Sequence, residues 1–224
     1  MMALIAQIGA KMGEFFAWIG QHAGKVTVST VVVVGGSTGY LISQYKSGAV
    51  VHHQGDTLVE QVDGNFRYQN YKTGRVYGKS YDIRNNPREF RDHIAEVGEV
   101  RFGEKYGCSY HFICMPDSAY QNKYFKHIGA HASGFNSVSV GVMLLRTDNE
   151  ELNRKVFDQF QNQALPLIRD SMSYYYDGLQ FIVSHWDVAT NGKTDPGPEY
   201  IKMMDEAGLR YDNRGYPVAI ELKK

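Results

Sequence analysis

From residue 48 onward, apolar runs alternate with segments of helical periodicity, and this alternation constrains the fold more than any other feature of the chain. Helices are predicted from Pro87 to Gly98 and after a capping box at Thr147–Glu150. Strands that alternate with helices pack as a sheet covered by helices. The sequence therefore predicts an α/β fold with a mixed central sheet flanked by helices. The strand-like runs are GAVVHH at 48–53, CSYHFICM at 108–115, VSVGVMLL at 138–145 and LQFIVS at 179–184.

The segments between these strands differ in pattern. Residues 54–86 are polar and rich in Gly, Asn, Asp and Tyr, which predicts a long loop or an inserted hairpin. Residues 116–137 are predicted to form a loop. The helix that follows Thr147 is expected to bury one apolar face. That face consists of Leu152, Val156, Phe157, Phe160 and Leu165.

Residues 1–47 form an appendage that differs from the domain predicted over 48–224. Apolar residues recur there at helical spacing with Gln7, Lys11 and Glu14 between them, which indicates an amphipathic helix. Residues 26–45 carry no charge, and twenty uncharged residues can cross the hydrocarbon core of a bilayer as a helix. We therefore predict a transmembrane anchor at 26–45. The six Ser/Thr residues and the β-branched valines of this segment also suit a buried strand, so that alternative stays open.

Charge and cysteine content exclude some classes of function. The chain has 24 basic and 24 acidic residues and no strongly basic block, so a nucleic-acid partner is not expected. The two cysteines, Cys108 and Cys114, are six positions apart, too far to bridge if the stretch between them is extended. A single pair at this spacing is also a poor zinc motif. We interpret both as packing residues.

Three side chains form a candidate metal site from their positions alone. His52 and His185 each stand where a predicted strand ends, and Asp195 lies in a polar loop stiffened by two prolines. Two imidazoles and one carboxylate leave a fourth tetrahedral position open, which is the arrangement of catalytic zinc. An ordinary surface turn is the alternative for this loop, because Asp-Pro-Gly is common in turns.

The stretch SHWDVATNGKTDPGP at 184–198 resembles the C-terminal signature of zinc-dependent N-acetylmuramoyl-L-alanine amidases. In that family the histidine and the aspartate are zinc ligands and the lysine assists catalysis. The resemblance thus implies that His185 and Asp195 bind Zn²⁺ and that Lys193 is catalytic. Asp187 is expected either to orient the His185 loop or to cap a turn.

Three further blocks resemble the same family, in the family's order. GCSYHFI resembles its Gly-Tyr-His-Phe strand and implies a catalytic Tyr110 beside the metal, and HIGAHASGFNSVSVGVML implies substrate binding or loop stiffening by His131. AVVHHQGD matches the run that ends in the family's first zinc ligand and selects His52. The gap from His52 to Tyr110 is longer than is usual in the family, so 54–86 is expected to be an insertion, and His53 remains an alternative ligand.

The resemblance implies the fold of bacteriophage lysozyme-type amidases and peptidoglycan recognition proteins. It also implies a zinc hydrolase that cleaves the amide between N-acetylmuramic acid and L-alanine, with peptidoglycan as partner. The alternatives are a non-catalytic peptidoglycan-binding module and a membrane-held structural protein of a virion. With an anchor at 26–45, the expected location is a phage virion membrane or a bacterial cell envelope.

Overall fold

The computed structural model describes residues 46–103, 107–189 and 193–213, together with the backbone of Val31–Val32 and Ile42–Ser43. Strands and helices alternate in these residues, as predicted. The strands are β1 (Val31–Val32), β2 (Ile42–Ser43), β3 (Gly48–His53), β4 (Thr57–Glu60), β5 (Phe66–Gln69), β6 (Val76–Tyr81), β7 (Phe112–Cys114), β8 (Ala119–Gln121), β9 (Ser139–Leu144), β10 (Phe181–Ser184) and β11 (Tyr211–Asp212). The helices are α1 (Pro87–Phe102), α2 (Glu150–Gln159), α3 (Leu165–Tyr175), α4 (His185–Val188) and α5 (Pro198–Glu206), with one π-helical segment at Phe160–Ala164.

A six-stranded sheet in the order β11-β10-β3-β9-β7-β8 forms the centre of the fold. Its four inner strands run parallel, and the edge strands β11 and β8 pair antiparallel to their neighbours. Strand β3 lies between β10 and β9 and is buried along its whole length. A strand that is covered on both faces has a nearly continuous apolar sequence, and this is why GAVVHH could be predicted to form a strand. The predicted mixed α/β architecture is confirmed.

The helices cover this sheet with the apolar faces that the sequence predicts. Helices α2 and α3 are joined through the π-helical turn into one continuous rod. Its buried side chains belong to the same apolar core as those of β7 and β9. The predicted apolar face is confirmed in full: Leu152, Val156, Phe157, Phe160 and Leu165 are all buried.

Two predicted helix boundaries are wrong. Helix α1 does not end at Gly98 but continues to Phe102, where Gly103 adopts a φ of 73° and its N–H donates to the carbonyl of Glu99. Gly98 is instead a packing position, because a Cβ there would lie 2.9 Å from the backbone nitrogen of Ser109. The cap of α2 is Asn149 rather than Thr147, since the Asn149 side chain accepts from the N–H of Leu152.

The segment 54–86 is more regular than the predicted loop or single hairpin. Strands β4, β5 and β6 form a three-stranded antiparallel sheet of their own. Its inner face contributes Leu58, Phe66 and Tyr81 to the core. Strand β4 also joins the main domain, because the N–H of Leu58 donates to the carbonyl of Arg146. The predicted loop at 116–137 likewise contains the short edge strand β8.

Most of the N-terminal appendage lies outside the described residues, including the predicted amphipathic helix. Within the predicted span at 26–45, the described residues are β1 and β2, which pair antiparallel. No helix in the described part of the chain is long and apolar enough to cross a bilayer. The anchor at 26–45 therefore stays a prediction. Cys108 and Cys114 are buried free thiols, which agrees with their predicted packing role.

Replacing Gly48 by alanine should destabilise the sheet. A Cβ at this position would lie 2.3 Å from the ring of Phe181 on the neighbouring strand β10. Overpacking of this kind costs about 1–3 kcal/mol, measurable as a lower free energy of unfolding in urea. The same substitution should cost less in a Phe181→Leu background. An equal cost in both backgrounds would show that the ring contact is not the cause.

Buried His111 should make the metal-free protein less stable as the pH falls. The N–H of Gly141 donates to Nδ1 of His111, and Nε2 of His111 lies 2.8 Å from the carbonyl oxygen of His127, so both ring nitrogens are used by a neutral imidazole. Burial, with the nearby charge of Lys46, holds the pKa of His111 well below 6.5. At pH values below about 6.5, the imidazole of this residue is protonated in the unfolded chain but stays neutral in the folded chain. The free energy of unfolding therefore decreases as the pH is lowered below about 6.5.

The variant His111→Asn can still accept from Gly141 through its amide oxygen but cannot titrate. Between pH 6.5 and 5 its free energy of unfolding should change less steeply than that of the parent, by up to about 1.4 kcal/mol per pH unit. Chemical denaturation in the presence of a chelator measures both slopes. Parallel slopes would contradict this assignment.

Candidate metal centre

The parallel pairing of β3 with β10 brings two histidines to the same edge of the central sheet. Ser184 of β10 is in register with Val51 of β3. The next residues, His185 and His52, therefore follow side by side, with ring centroids 4.4 Å apart. Both predicted positions, at or next to a strand end, are confirmed.

Asp195 reaches this edge through the loop that follows α4. The N–H of Trp186 donates to the backbone carbonyl of Asp195 at 2.9 Å, which ties the loop to the first turn after β10. The Asp195 carboxylate then lies between the two histidines. Its Oδ2 is 3.0 Å from Nδ1 of His52 and 2.9 Å from Nδ1 of His185.

These three side chains fit a metal ion. One potential ligand atom from each of His52, His185 and Asp195 lies within 4.8 Å of the others. Two imidazole nitrogens and a carboxylate oxygen are a donor set of catalytic zinc sites, which keep the fourth position for water or substrate. The donor set and its convergence thus match the predicted Zn²⁺ site.

Burial gives the cluster the protonation states that metal binding requires. His52 is 1% exposed, and the loss of hydration lowers its pKa to about 4 although the Asp195 carboxylate opposes this shift. Burial would by itself raise the pKa of Asp195, but the hydrogen bonds from His185 and His52 outweigh that effect and hold it below the ordinary range. The imidazole of His52 is therefore neutral and the carboxylate is charged near pH 7.

His53, the alternative first ligand, has a different partner. Its Nδ1 accepts from the N–H of Gly55 at 2.9 Å, within the turn that follows β3. Successive residues of a strand point to opposite faces, so His52 and His53 diverge. The convergent cluster contains His52.

The residues predicted to act in catalysis lie around this cluster. Tyr110 and Lys193 line a pocket of about 400 Å³ together with the three candidate ligands. The ring of Tyr110 is centred 5.3 Å from that of His52. Burial, and then the charge of Asp195, raise the pKa of the Tyr110 hydroxyl, so it stays protonated at neutral pH. Lys193 is exposed where it borders the pocket.

His131 and Asp187 occupy supporting positions. His131 is buried against His52 and lines the same pocket, with its Nδ1 3.2 Å from Nε2 of His52. The Asp187 side chain accepts from the N–H and the hydroxyl of Ser184, and Ser184 in turn caps α4. Asp187 also forms an ion pair with Arg210 at 3.0 Å. The cap interpretation of Asp187 is thereby confirmed, and the cap fixes the turn that carries His185.

Arg101 is a pocket residue that sequence reasoning missed. It borders the same pocket from the last turn of α1. The predicted helix ended three residues earlier, at Gly98, so Arg101 had no assigned place. A basic residue in a last helical turn is also common for electrostatic reasons alone. No signal in the sequence distinguished it.

Solved structures of low sequence identity share this fold. A Drosophila peptidoglycan recognition protein, PGRP-LB, is 19% identical with a TM-score of 0.51, and the match covers 84% of this chain and 92% of that one. Human PGRP-IBETAC, solved with glycosamyl muramyl pentapeptide, is 14% identical with a TM-score of 0.50, covering 81% and 90%. The N-acetylmuramoyl-L-alanine amidase LysC of Clostridium intestinale is 18% identical with a TM-score of 0.46, covering 82% and 100%. No protein-family model and no curated protein matches the chain.

The chain thus has the fold of peptidoglycan recognition proteins. At these identities the likeness concerns the fold alone. The expected fold family is confirmed, and the chain carries a His-His-Asp cluster at one edge of its central sheet.

Neighbouring histidines provide a matched test of the metal centre. We expect the purified chain to hold one zinc ion after dialysis, His52→Gln to lose it and His53→Gln to keep it. The Asp195 carboxylate contacts His52, whereas Nδ1 of His53 accepts from the N–H of Gly55. Metal analysis by mass spectrometry measures the content, and circular dichroism checks that both variants fold. The reverse pattern would assign the first ligand to His53.

Proposed function

We propose that this protein is a zinc-dependent N-acetylmuramoyl-L-alanine amidase. The convergence of His52, His185 and Asp195 in a pocket that Tyr110 and Lys193 also line is the observation that carries this proposal. The fold of peptidoglycan recognition proteins and the four sequence blocks that resemble motifs of the amidase family support it.

Hydrolysis breaks the bond between the lactyl carbonyl carbon of N-acetylmuramic acid and the nitrogen of L-alanine. Zinc held by His52, His185 and Asp195 would supply a water nucleophile by lowering its pKa to about 7. As the carbonyl carbon becomes tetrahedral, negative charge develops on its oxygen. The protonated hydroxyl of Tyr110 and the ammonium of Lys193 are the donors that this pocket offers to that oxygen.

Muramyl peptides fit the chemistry of the pocket. PGRP-IBETAC was solved with a glycosamyl muramyl pentapeptide, and we extend that class of ligand to this chain. The stem peptides of peptidoglycan carry carboxylates, and Arg101 places a guanidinium on the border of the pocket, where it can pair with one of them.

A non-catalytic wall-binding module is the second candidate, because the same fold can recognise peptidoglycan without cutting it. The complete set of three candidate ligands and two catalytic partners favours the enzyme. For the setting, we propose a membrane-held enzyme of a phage particle or a bacterial envelope, supported by the uncharged stretch at 26–45.

Tyr110→Phe and Lys193→Ala should each keep zinc and lose most of the activity. Loss of one donor to a developing oxyanion typically lowers the rate about 10²–10³-fold. Release of peptides with a free L-alanine amino terminus from purified cell walls measures turnover, and metal analysis measures zinc in the same samples. Full turnover in both variants would refute the roles of these residues.

The unaltered chain separates the two candidate functions in the same assay. An amidase releases L-alanyl peptides and stops doing so when zinc is chelated. Binding to cell walls without any release, in the presence of zinc, would instead establish the recognition module.

A further inference from the structure

His131 lines the same pocket as the candidate ligands, and it is placed where it can act on the candidate metal centre through His52. It belongs to the segment that precedes β9 and is 9% exposed. Its ring lies directly on the backbone of β9, since a Cβ at Gly141 would be 2.6 Å from Cγ of His131. The ring therefore packs between β9 and His52 and has little room to turn.

The backbone at His131 is anchored as well. The side-chain oxygen of Asn136 accepts from the N–H of His131 at 2.9 Å and from the N–H of Ala132 at 2.7 Å. This closes the turn in which His131 lies. Packing and hydrogen bonds together hold the imidazole in one orientation.

A chain of hydrogen-bonding atoms runs from the metal centre through His131 to the backbone. Nε2 of His52 is 3.2 Å from Nδ1 of His131, and Nε2 of His131 is 3.5 Å from Oγ of Ser139. The Ser139 hydroxyl donates to the carbonyl of Phe135 at 2.7 Å. Its lone pairs remain available to accept from His131.

The direction of this chain follows from the metal site. Nδ1 of His52 faces Asp195 and is the atom available to a metal ion. A neutral imidazole that offers the Nδ1 lone pair carries its proton on Nε2. That N–H can then donate to Nδ1 of His131, whose own Nε2–H points toward Ser139. A metal ion bound at Nδ1 of His52 would replace the hydrogen bond that this atom donates to Asp195, and would thereby select this set of tautomers, in which each donor meets one acceptor.

We propose that His131 is a positioning residue that fixes the tautomer and ring orientation of His52 for metal binding. This inference rests on the proposed zinc site. It differs from both roles that the amidase resemblance implied for His131, which are substrate binding and loop stiffening. Partners of this kind behind a ligand typically change metal affinity about 10–100-fold when removed.

Two isosteric variants separate the two hydrogen bonds of His131. His131→Asn places an amide oxygen near the position of Nδ1, so it keeps an acceptor for His52 but not the link to Ser139. His131→Gln places an amide nitrogen near the position of Nε2, so it keeps a donor for Ser139 but loses the acceptor. Zinc affinity of the full chain, measured by competition with a chromophoric chelator, should fall about 10–100-fold in His131→Gln and much less in His131→Asn.

Three controls complete the experiment. Thermal unfolding of the metal-free variants measures structural damage, Co²⁺ absorption spectra report the ligand geometry, and KM for muramyl peptide reports substrate binding. A distorted Co²⁺ spectrum in His131→Gln but not in His131→Asn supports the proposal. Unchanged zinc affinity in both variants with a raised KM would return His131 to substrate binding and overturn it. Equal loss of zinc affinity in both, together with equal loss of apo-protein stability, would show a merely structural role and overturn it too.

The outcome also separates this inference from the proposed function. If the unaltered chain binds no zinc, the amidase proposal fails and the positioning role fails with it. If the unaltered chain binds zinc and His131→Gln binds it equally well, only the positioning role fails.

Discussion

The parallel pairing of β3 with β10 places the two histidines on which the candidate site depends. It aligns Ser184 with Val51, and the two residues that follow, His185 and His52, then lie next to each other. A shift of the register by one residue would turn His52 to the opposite face of the sheet. The register of these two buried strands therefore determines where the two histidines lie.

The site is a buried polar cluster, and its members satisfy one another. The carboxylate of Asp195 serves both His52 and His185, while His52 contacts His131 with its other nitrogen. In a low-dielectric environment such contacts are strong, and an unpaired member would be costly. The same burial that keeps His52 neutral makes it available as a ligand.

Much of the fold and of the site could be predicted from the sequence because buried strands and amphipathic helices leave periodic patterns. The strand ending at His53 and the apolar face of α2 were recognised in this way. The end of α1 was predicted wrongly at Gly98 because glycine is common both at helix ends and where a helix packs closely against a neighbouring segment. Only the position of Ser109 distinguishes the two cases. The sheet in 54–86 was missed because its exposed side chains are polar, with few buried residues such as Phe66. The contact of His131 with His52 joins residues 79 positions apart, and no local pattern encodes it.

X-ray absorption at the zinc K edge of the zinc-loaded full chain tests most directly whether His52, His185 and Asp195 hold one metal ion. We predict a shell of nitrogen and oxygen atoms only, at about 2.0–2.2 Å, with the outer-shell scattering of two imidazoles. Sulfur at about 2.3 Å, which Cys108 or Cys114 would have to supply, or a shell without imidazole would contradict this account.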